Sequence, residues 1–345
     1  MLKGALVGFG QVAERAHAPA FLRVPGLAVT AVADAGAERL AAAARIFPGA
    51  RTYPTLEALL RGEPELDFVD IATPPHLHAA QIGMALQRGC HVLCEKPLTL
   101  STEEFEAVLR RARETRRLVF PVHNWKHAPL FQTLKGLLAR GAIGRVRHAE
   151  WHVLRTQPAA VAGSGKGNWR TDAKLSGGGI LMDHGWHAFY LLGWLLGSAP
   201  VSAAGILKPA AGAKGEGATD VEATSLIRYG CGASALIHLS WAAPRRDHWG
   251  VLYGTTGSID VLDDRLAMRH GDAPPQSYAF PEGLSKGSAH PEWFAGTLRE
   301  FAAALRAGDG DRGEAALEEA RHCLRLLGEL YQRGARKAGS RTVKA

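Results

Sequence analysis

Up to residue 121 the apolar positions fall into short, nearly unbroken runs separated by longer amphipathic stretches. The runs "LKGALVGFG", "LAVTAVAD", "LDFVDIATPP", "CHVLCEKP" and "LVFPVH" read as strands, most of them stopped by glycine or proline. Between them, "QVAERAHAPAFLRV", "AGAERLAAAARIF", "TLEALLRG", "LHAAQIGMALQRG" and "STEEFEAVLRRARETR" read as helices. Pro19 marks an expected irregularity in the first, and Ser101 with Glu104 forms a capping-box pattern at the start of the last. Strands without polar alternation need cover on both faces, so the pattern predicts an α/β domain built on a doubly wound parallel sheet of Rossmann type.

From residue 122 the rhythm changes. "RVRHAEWHVLR", "DVEATSLIRY", "GASALIHLSWA" and "HWGVLYGTTGSIDVLDDRLAMRH" are strand-like runs broken by turn residues, with no regular helix expected between them. Two amphipathic helices, "EWFAGTLREFAAALRAG" and "EAALEEARHCLRLLGELYQRG", follow, while "AGSGKGNW" and "KPAAGAKGEGA" read as loops. The expectation is a second, α+β domain with a large, mainly antiparallel open sheet. The predicted division is 1–121 for dinucleotide binding and 122–345 for substrate binding and oligomerisation.

Composition narrows the class. A chain of 345 residues suits two cores, and its four cysteines form no CxxC pair, which fits a reduced, cytoplasmic setting without a disulfide framework. The formal charge of +8 is dispersed apart from the tail "RGARKAGSRTVKA", read as a solvated end, so no nucleic-acid partner is expected. The opening "MLKGALVGFGQ" enters a strand at once, so no cleavable signal is expected. The longest apolar run, "AFYLLGWLLG", is far below the ~20 residues of a membrane span.

Two stretches carry chemistry. Gly8-x-Gly10-x-x-Ala13 directly follows the first strand and opens the first helix, where small residues let the backbone approach a pyrophosphate and the helix N-terminus favours its charge. The second strand ends in Asp34, whose carboxylate suits two ribose hydroxyls and opposes a 2′-phosphate. NAD is therefore preferred to NADP, with Arg39 the residue that argues the other way. Further on, "SGGGILMDHGWHAFYLLGWLLG" places Asp183 and His187 at i,i+4. An imidazole beside a carboxylate suits proton transfer near neutral pH, although histidine on an apolar helix is also a packing residue. Asp183, His184 and His187 do not share one face, and no metal site is expected.

The combination of "GFGQVA", "TPPHLHAAQIGMALQRGCHVLCEKPLTLS" and "GGGILMDHGWH", with the late "YGTTGSI", resembles the Gfo/Idh/MocA family of oxidoreductases over nearly the whole chain. The resemblance implies an N-terminal Rossmann domain and a C-terminal domain whose open sheet mediates homodimers or homotetramers. It implies cofactor contacts from Gly8, Phe9, Gly10, Gln11, Val12, Asp34, Thr73, Pro74, His78, Glu95, Lys96 and Asn124. Lys96 of the Glu-Lys-Pro motif would be catalytic beside the nicotinamide, with the bond to Pro97 often cis, and Asp183 and His187 would join it. Substrate contacts would come from Lys96, Asn124, Trp169, Arg170, Asp183 and His187. The chain departs from many relatives at Lys126, where they carry arginine, and at Tyr190, where they carry an acid.

The expected reaction is reversible hydride transfer between a nicotinamide and a secondary carbinol of a sugar, cyclitol or polyol. His187 would accept the hydroxyl proton and Lys96 would stabilise charge on the reacting oxygen, the two groups coming from different domains to one pocket. Two alternatives stand beside it. One is a nucleotide-binding regulator on the same fold, and the other is redox-assisted glycoside cleavage.

Overall fold

The first unit follows the expected alternation. In chain order it runs β1 (Leu2–Val7), α1 (Ala18–Phe21), β2 (Leu27–Ala33), α2 (Ala37–Ile46), β3 (Arg51–Tyr53), α3 (Leu56–Gly62), β4 (Phe68–Ile71), α4 (His78–Gln87), β5 (His91–Cys94), α5 (Thr102–Thr115) and β6 (Val119–Pro121). The strands pair in parallel in the order β3-β2-β1-β4-β5-β6, with the chain reversing direction of growth between β1 and β4. This is a computed structural model, and it describes residues 1–161, 167–210, 219–287, 289–308 and 310–339. The glycine-rich segments expected as loops, at 162–169 and 208–218, fall largely outside the described residues, although Lys208 and Pro209 end a strand; of the tail read as a solvated end, 333–339 continues the last helix and the rest lies outside the described residues.

Local signals act where the sequence places them. Ser101 Oγ accepts from Glu104 N at 3.1 Å while the Glu104 carboxylate accepts from Leu100 N at 2.9 Å, a reciprocal cap at the start of α5. Thr55 caps α3 from one side only, its Oγ1 accepting from Ala58 N at 3.2 Å. The irregularity expected at Pro19 lies just before it: Ala13–His17 winds as a π-helix ahead of α1. Pro19 has no N–H to return, and the wider turn before it accommodates that loss.

The second unit begins with α6 (Pro129–Ala139), a helix the strand-like reading of this region did not anticipate, and then β7 (His148–Leu154). There follow α7 (Ala173–Ser176), α8 (Trp186–Leu196), β8 (Pro200–Pro209), β9 (Asp220–Tyr229), β10 (Ser234–Ser240), β11 (Asp247–Tyr253), β12 (Ser258–Leu262), β13 (Arg265–Arg269) and β14 (Gln276–Ala279). The sheet order is β14-β13-β12-β11-β7-β10-β9-β8, antiparallel except between β7 and β10. One face is buried through Ala149, Trp151, Val153, Ala223, Ile227, Ile237 and Leu252. The other leaves Ile206, Leu226, Tyr253 and Leu262 exposed.

Two helices end the chain: α9 (Pro291–Ala307) and α10 (Gly310–Gly339). Backbone contacts divide the molecule into Met1–His127, Val161–Gly167 and Ser288–Arg321 in one unit, and Ala128–Ala160, Asn168–Gly287 and His322–Ala345 in the other. A single cut after residue 121 does not describe this division, because α9 returns to the parallel sheet. Its Phe294, Leu298 and Phe301 share one core with Leu6, Phe21, Phe68, Leu93 and Phe120. An amphipathic pattern announces a buried face but not which sheet it covers.

Candidate active site

All strands of the first sheet point the same way, so the loops leaving their carboxyl ends gather at one edge. Gly8 and Gly10 follow β1, Asp34 follows β2, Thr73 and Pro74 follow β4, Glu95 and Lys96 follow β5, and Asn124 follows β6. In an open parallel sheet the ligand crevice forms there, at the point where strand order reverses.

The turn after β1 is shaped by two different glycines. Gly8 has φ +86°, and a Cβ there would lie 2.8 Å from the Thr73 side chain and 2.9 Å from the Ala72 backbone, so only glycine fits. Around Gly10 a Cβ would meet nothing within 4 Å, which leaves open space above the backbone. Asp34 fixes the turn from the side: its Oδ2 accepts from Phe9 N and its Oδ1 from Gly36 N, both at 2.7 Å. Arg39 Nη1 stands 3.7 Å from the same carboxylate. Phe9 puts its ring into the core, whereas Gln11 is exposed and Val12 half-buried. These residues fit a dinucleotide: a glycine turn with clear space above it, opening a helix, beside a carboxylate already oriented.

Beneath Lys96 lies a buried charged network. The His17 ring is fully buried, with Nδ1 2.7 Å from Asp70 Oδ2 and Nε2 3.1 Å from Glu95 Oε1. Glu95 Oε2 in turn accepts from Lys96 N at 3.0 Å, and the Lys96–Pro97 peptide is cis. Burial opposes a charge on His17, but Asp70 and then Glu95 outweigh it and its pKa is pushed up to about 9. Burial likewise resists ionisation of Glu95, yet the adjoining His17 holds it below the usual carboxylate range. Asp70 is pushed upward by burial, with His17 opposing.

His78, at the start of α4, is also fully buried, its Nδ1 2.8 Å from Pro97 O and its Nε2 2.8 Å from Thr73 O. It ties the loop after β4 to the one after β5, and burial depresses its pKa. Thr73 Oγ1 donates to Gln81 Oε1 at 2.6 Å. Asn124 begins a short 3₁₀ turn held by its neighbours: Glu319 accepts from Lys126 Nζ at 2.6 Å and lies 3.0 Å from His123 Nδ1. Lys126 is thus engaged within the protein.

In the second unit the triple glycine is explained by what fills its space. Asp220, at the start of β9, accepts from Gly179 N and Tyr331 Oη through Oδ1 and from Leu181 N through Oδ2, each at 2.8 Å. A Cβ on Gly179 would fall 1.8 Å from Asp220 O, and one on Gly178 2.0 Å from Tyr331 Oη. Asp220 therefore caps this helical run from a distant strand, satisfying N–H groups its own sequence leaves bare. The run opens as a π-helix, Leu181–Gly185, holding Asp183 and His184, and continues as α8 with His187 in its first turn.

His187 is buried, with Nδ1 3.0 Å from Tyr190 Oη. Tyr190 supplies a partner for that ring. Asp183 Oδ2 lies 3.8 Å from His184 Nε2, and Arg155, buried at the end of β7, adds a positive charge near Asp183. Burial lowers the Arg155 pKa to about 10. Trp169 and Arg170 occupy a short 3₁₀ turn in which the guanidinium lies 4.3 Å from the indole centroid. Sequence reasoning missed His17, Asp70, Arg155, Asp220 and Tyr331, whose only individual signal is a polar residue within an apolar context.

Comparison with known proteins agrees with this architecture. Residues 2–123 match the model of the oxidoreductase family, NAD-binding Rossmann fold, and residues 131–260 match the GFO/IDH/MocA C-terminal domain. The D-apiose dehydrogenase of Paraburkholderia graminis is 31% identical over 317 residues, 89% of this chain and 81% of that protein. The levoglucosan dehydrogenase of Pseudarthrobacter phenanthrenivorans is 29% identical over 282 residues, 75% of this chain and 72% of that protein. Among solved structures, a levoglucosan dehydrogenase in complex with NADH and levoglucosan superposes with a TM-score of 0.82 at 22% identity, covering 97% of this chain and 98% of that one. The fold and site define a nicotinamide-dependent oxidoreductase. The chain belongs to the Gfo/Idh/MocA family, and its first unit is an NAD(P)-binding Rossmann domain.

Proposed function

We propose that this chain is a dehydrogenase that oxidises a secondary alcohol of a sugar, cyclitol or related polyol, with NAD preferred to NADP. One observation carries the reading: the parallel sheet delivers the glycine turn, Asp34, Thr73, Lys96 and Asn124 to the same edge. The sugar class is supported by the relatives, two of which are named as dehydrogenases of D-apiose and levoglucosan.

Gly8 to Val12 would hold the pyrophosphate, and Asp34 the adenosine ribose, its charge opposing a 2′-phosphate. Thr73, Pro74, Glu95 and Asn124 would frame the nicotinamide half, with His78 supporting that frame from the core. A nicotinamide held there would supply the acceptor for the hydride leaving the carbinol carbon. Lys96 hydrogen-bonds the reacting oxygen and stabilises the charge that develops on it. His187, whose Nδ1 lies 3.0 Å from Tyr190 Oη, would accept the hydroxyl proton. Asp183 binds a neighbouring hydroxyl or orients the imidazole, and Trp169 with Arg170 contacts substrate.

The second unit would supply substrate binding and oligomerisation. The exposed Ile206, Leu226, Tyr253 and Leu262 on its open sheet face support a homodimer or homotetramer. A reducing, cytoplasmic setting is supported by cysteines that form no disulfide among the described residues. No helix among those residues is long and apolar enough to cross a membrane.

The test is NADH formation across a panel of sugars, cyclitols and polyols, repeated with NADP. The expected result is turnover with at least one sugar and a higher kcat/KM with NAD. Tight NADH binding without turnover on any of them would favour the regulator, and aryl glycoside cleavage without net NADH the glycosidase.

A further inference from the structure

Three ionisable side chains in the first unit meet largely out of solvent, and two of them, His17 and Asp70, have no direct share in the proposed chemistry. His17 and Asp70 have no exposed side-chain surface, and Glu95 retains 14%. They come from the helical run after the glycine turn, from β4, and from the loop after β5. The imidazole is clamped on its flat side as well: the Phe294 ring of α9 stacks on it at 3.7 Å and 16°.

Stability alone gives a poor account of this cluster. A buried ion pair often gains nothing over well-packed apolar residues, and this one adds a second carboxylate around a single imidazole. Such networks earn their place by fixing one geometry, here that of the segment the cluster ends on. The run carrying His17 is a π-helix over Ala13–His17, a rare conformation found frequently at functional sites. The chain of contacts ends on Lys96: the ring holds Glu95 Oε1, and Glu95 Oε2 holds the Lys96 amide.

We propose that His17 is a positioning residue, which holds the Glu95 carboxylate against the Lys96 backbone and so fixes where the Lys96 ammonium stands at the carboxyl edge of the sheet. The role rests on the dehydrogenase reading and deepens it. His17 touches neither sugar nor cofactor; it links the helix behind the glycine turn to the catalytic lysine.

The experiment measures kcat for sugar oxidation and, separately, NADH affinity by fluorescence titration, for the parent chain, H17Q, E95Q and the double variant. H17Q keeps an amide able to bond one carboxylate but cannot bridge two as a cation. A displacement of about 1 Å at a reacting group costs roughly 100-fold, so kcat of H17Q should fall roughly 10- to 100-fold with NADH affinity kept within about 3-fold. The double variant should be no slower than E95Q, because both changes break one chain of contacts. Parent-like kcat in H17Q, NADH affinity falling in step with kcat, or a double variant slower by the product of the two single losses would each overturn the role. Should H17Q fail to fold, D70N, which removes the charge on the other side of the ring, decides: lowered kcat with NADH binding kept supports the role, and full turnover overturns it. A parent chain that oxidises no sugar sinks the dehydrogenase reading instead, a result distinct from an active parent matched by an active H17Q.

Discussion

His17 carries a consequence of its own beyond catalysis. Asp70 of β4 and Glu95 after β5 face it, Phe294 of α9 presents an uncharged ring, and its pKa is raised from 6.5 to about 9. A group that binds its proton more tightly folded than unfolded stabilises the fold fully below its unfolded pKa and loses that contribution as pH rises through the folded one. The stability difference between the parent and H17Q should therefore shrink between pH 6.5 and about 9, as read from thermal midpoints. Parallel curves across that window would mean that the ring carries no proton there. Sequence reasoning could nominate Asp34, Lys96, Asp183 and His187 because each sits in a motif whose spacing is local. It missed His17 because its partners lie 53 and 78 residues away, and nothing in "ERAHAPAF" announces them. Asp220 escaped for the same reason, its helix lying 41 residues upstream.

At the level of elements, two glycines opening two functional segments make opposite predictions for the same substitution. G10A adds a methyl group where nothing lies within 4 Å, so the fold should keep its melting temperature while NADH binding weakens, because the methyl occupies the space meant for a pyrophosphate. G179A drives a methyl into the Asp220 backbone at 1.8 Å, which cannot yield as a side-chain tip can, and should cost about 1–3 kcal/mol with loss of the cap that starts the Asp183 and His187 run. Equal melting losses in both variants would contradict this division. The strands and capped helices of the first sheet were legible because continuous apolar runs and N-cap residues are local signals. The helix α6 was not, since its start at Pro129 lies in a region dominated by strand-like runs.

For the whole molecule, the order of strand and helix along the chain sufficed to predict a parallel sheet followed by a mainly antiparallel one, because strands separated by helices need crossovers whereas strands separated by turns pair antiparallel. The return of α9 to the first unit was beyond that logic, as it depends on which core has room for Phe294, Leu298 and Phe301. The proposed function rests most heavily on Lys96, set at the edge where the parallel strands end. The most direct measurement is the rate of NADH formation by K96M on the best sugar substrate, with NADH affinity measured on the same sample. With Lys96 stabilising the reacting oxygen, kcat should fall on the order of 10²- to 10³-fold with cofactor affinity unchanged. Turnover near that of the parent chain would contradict it.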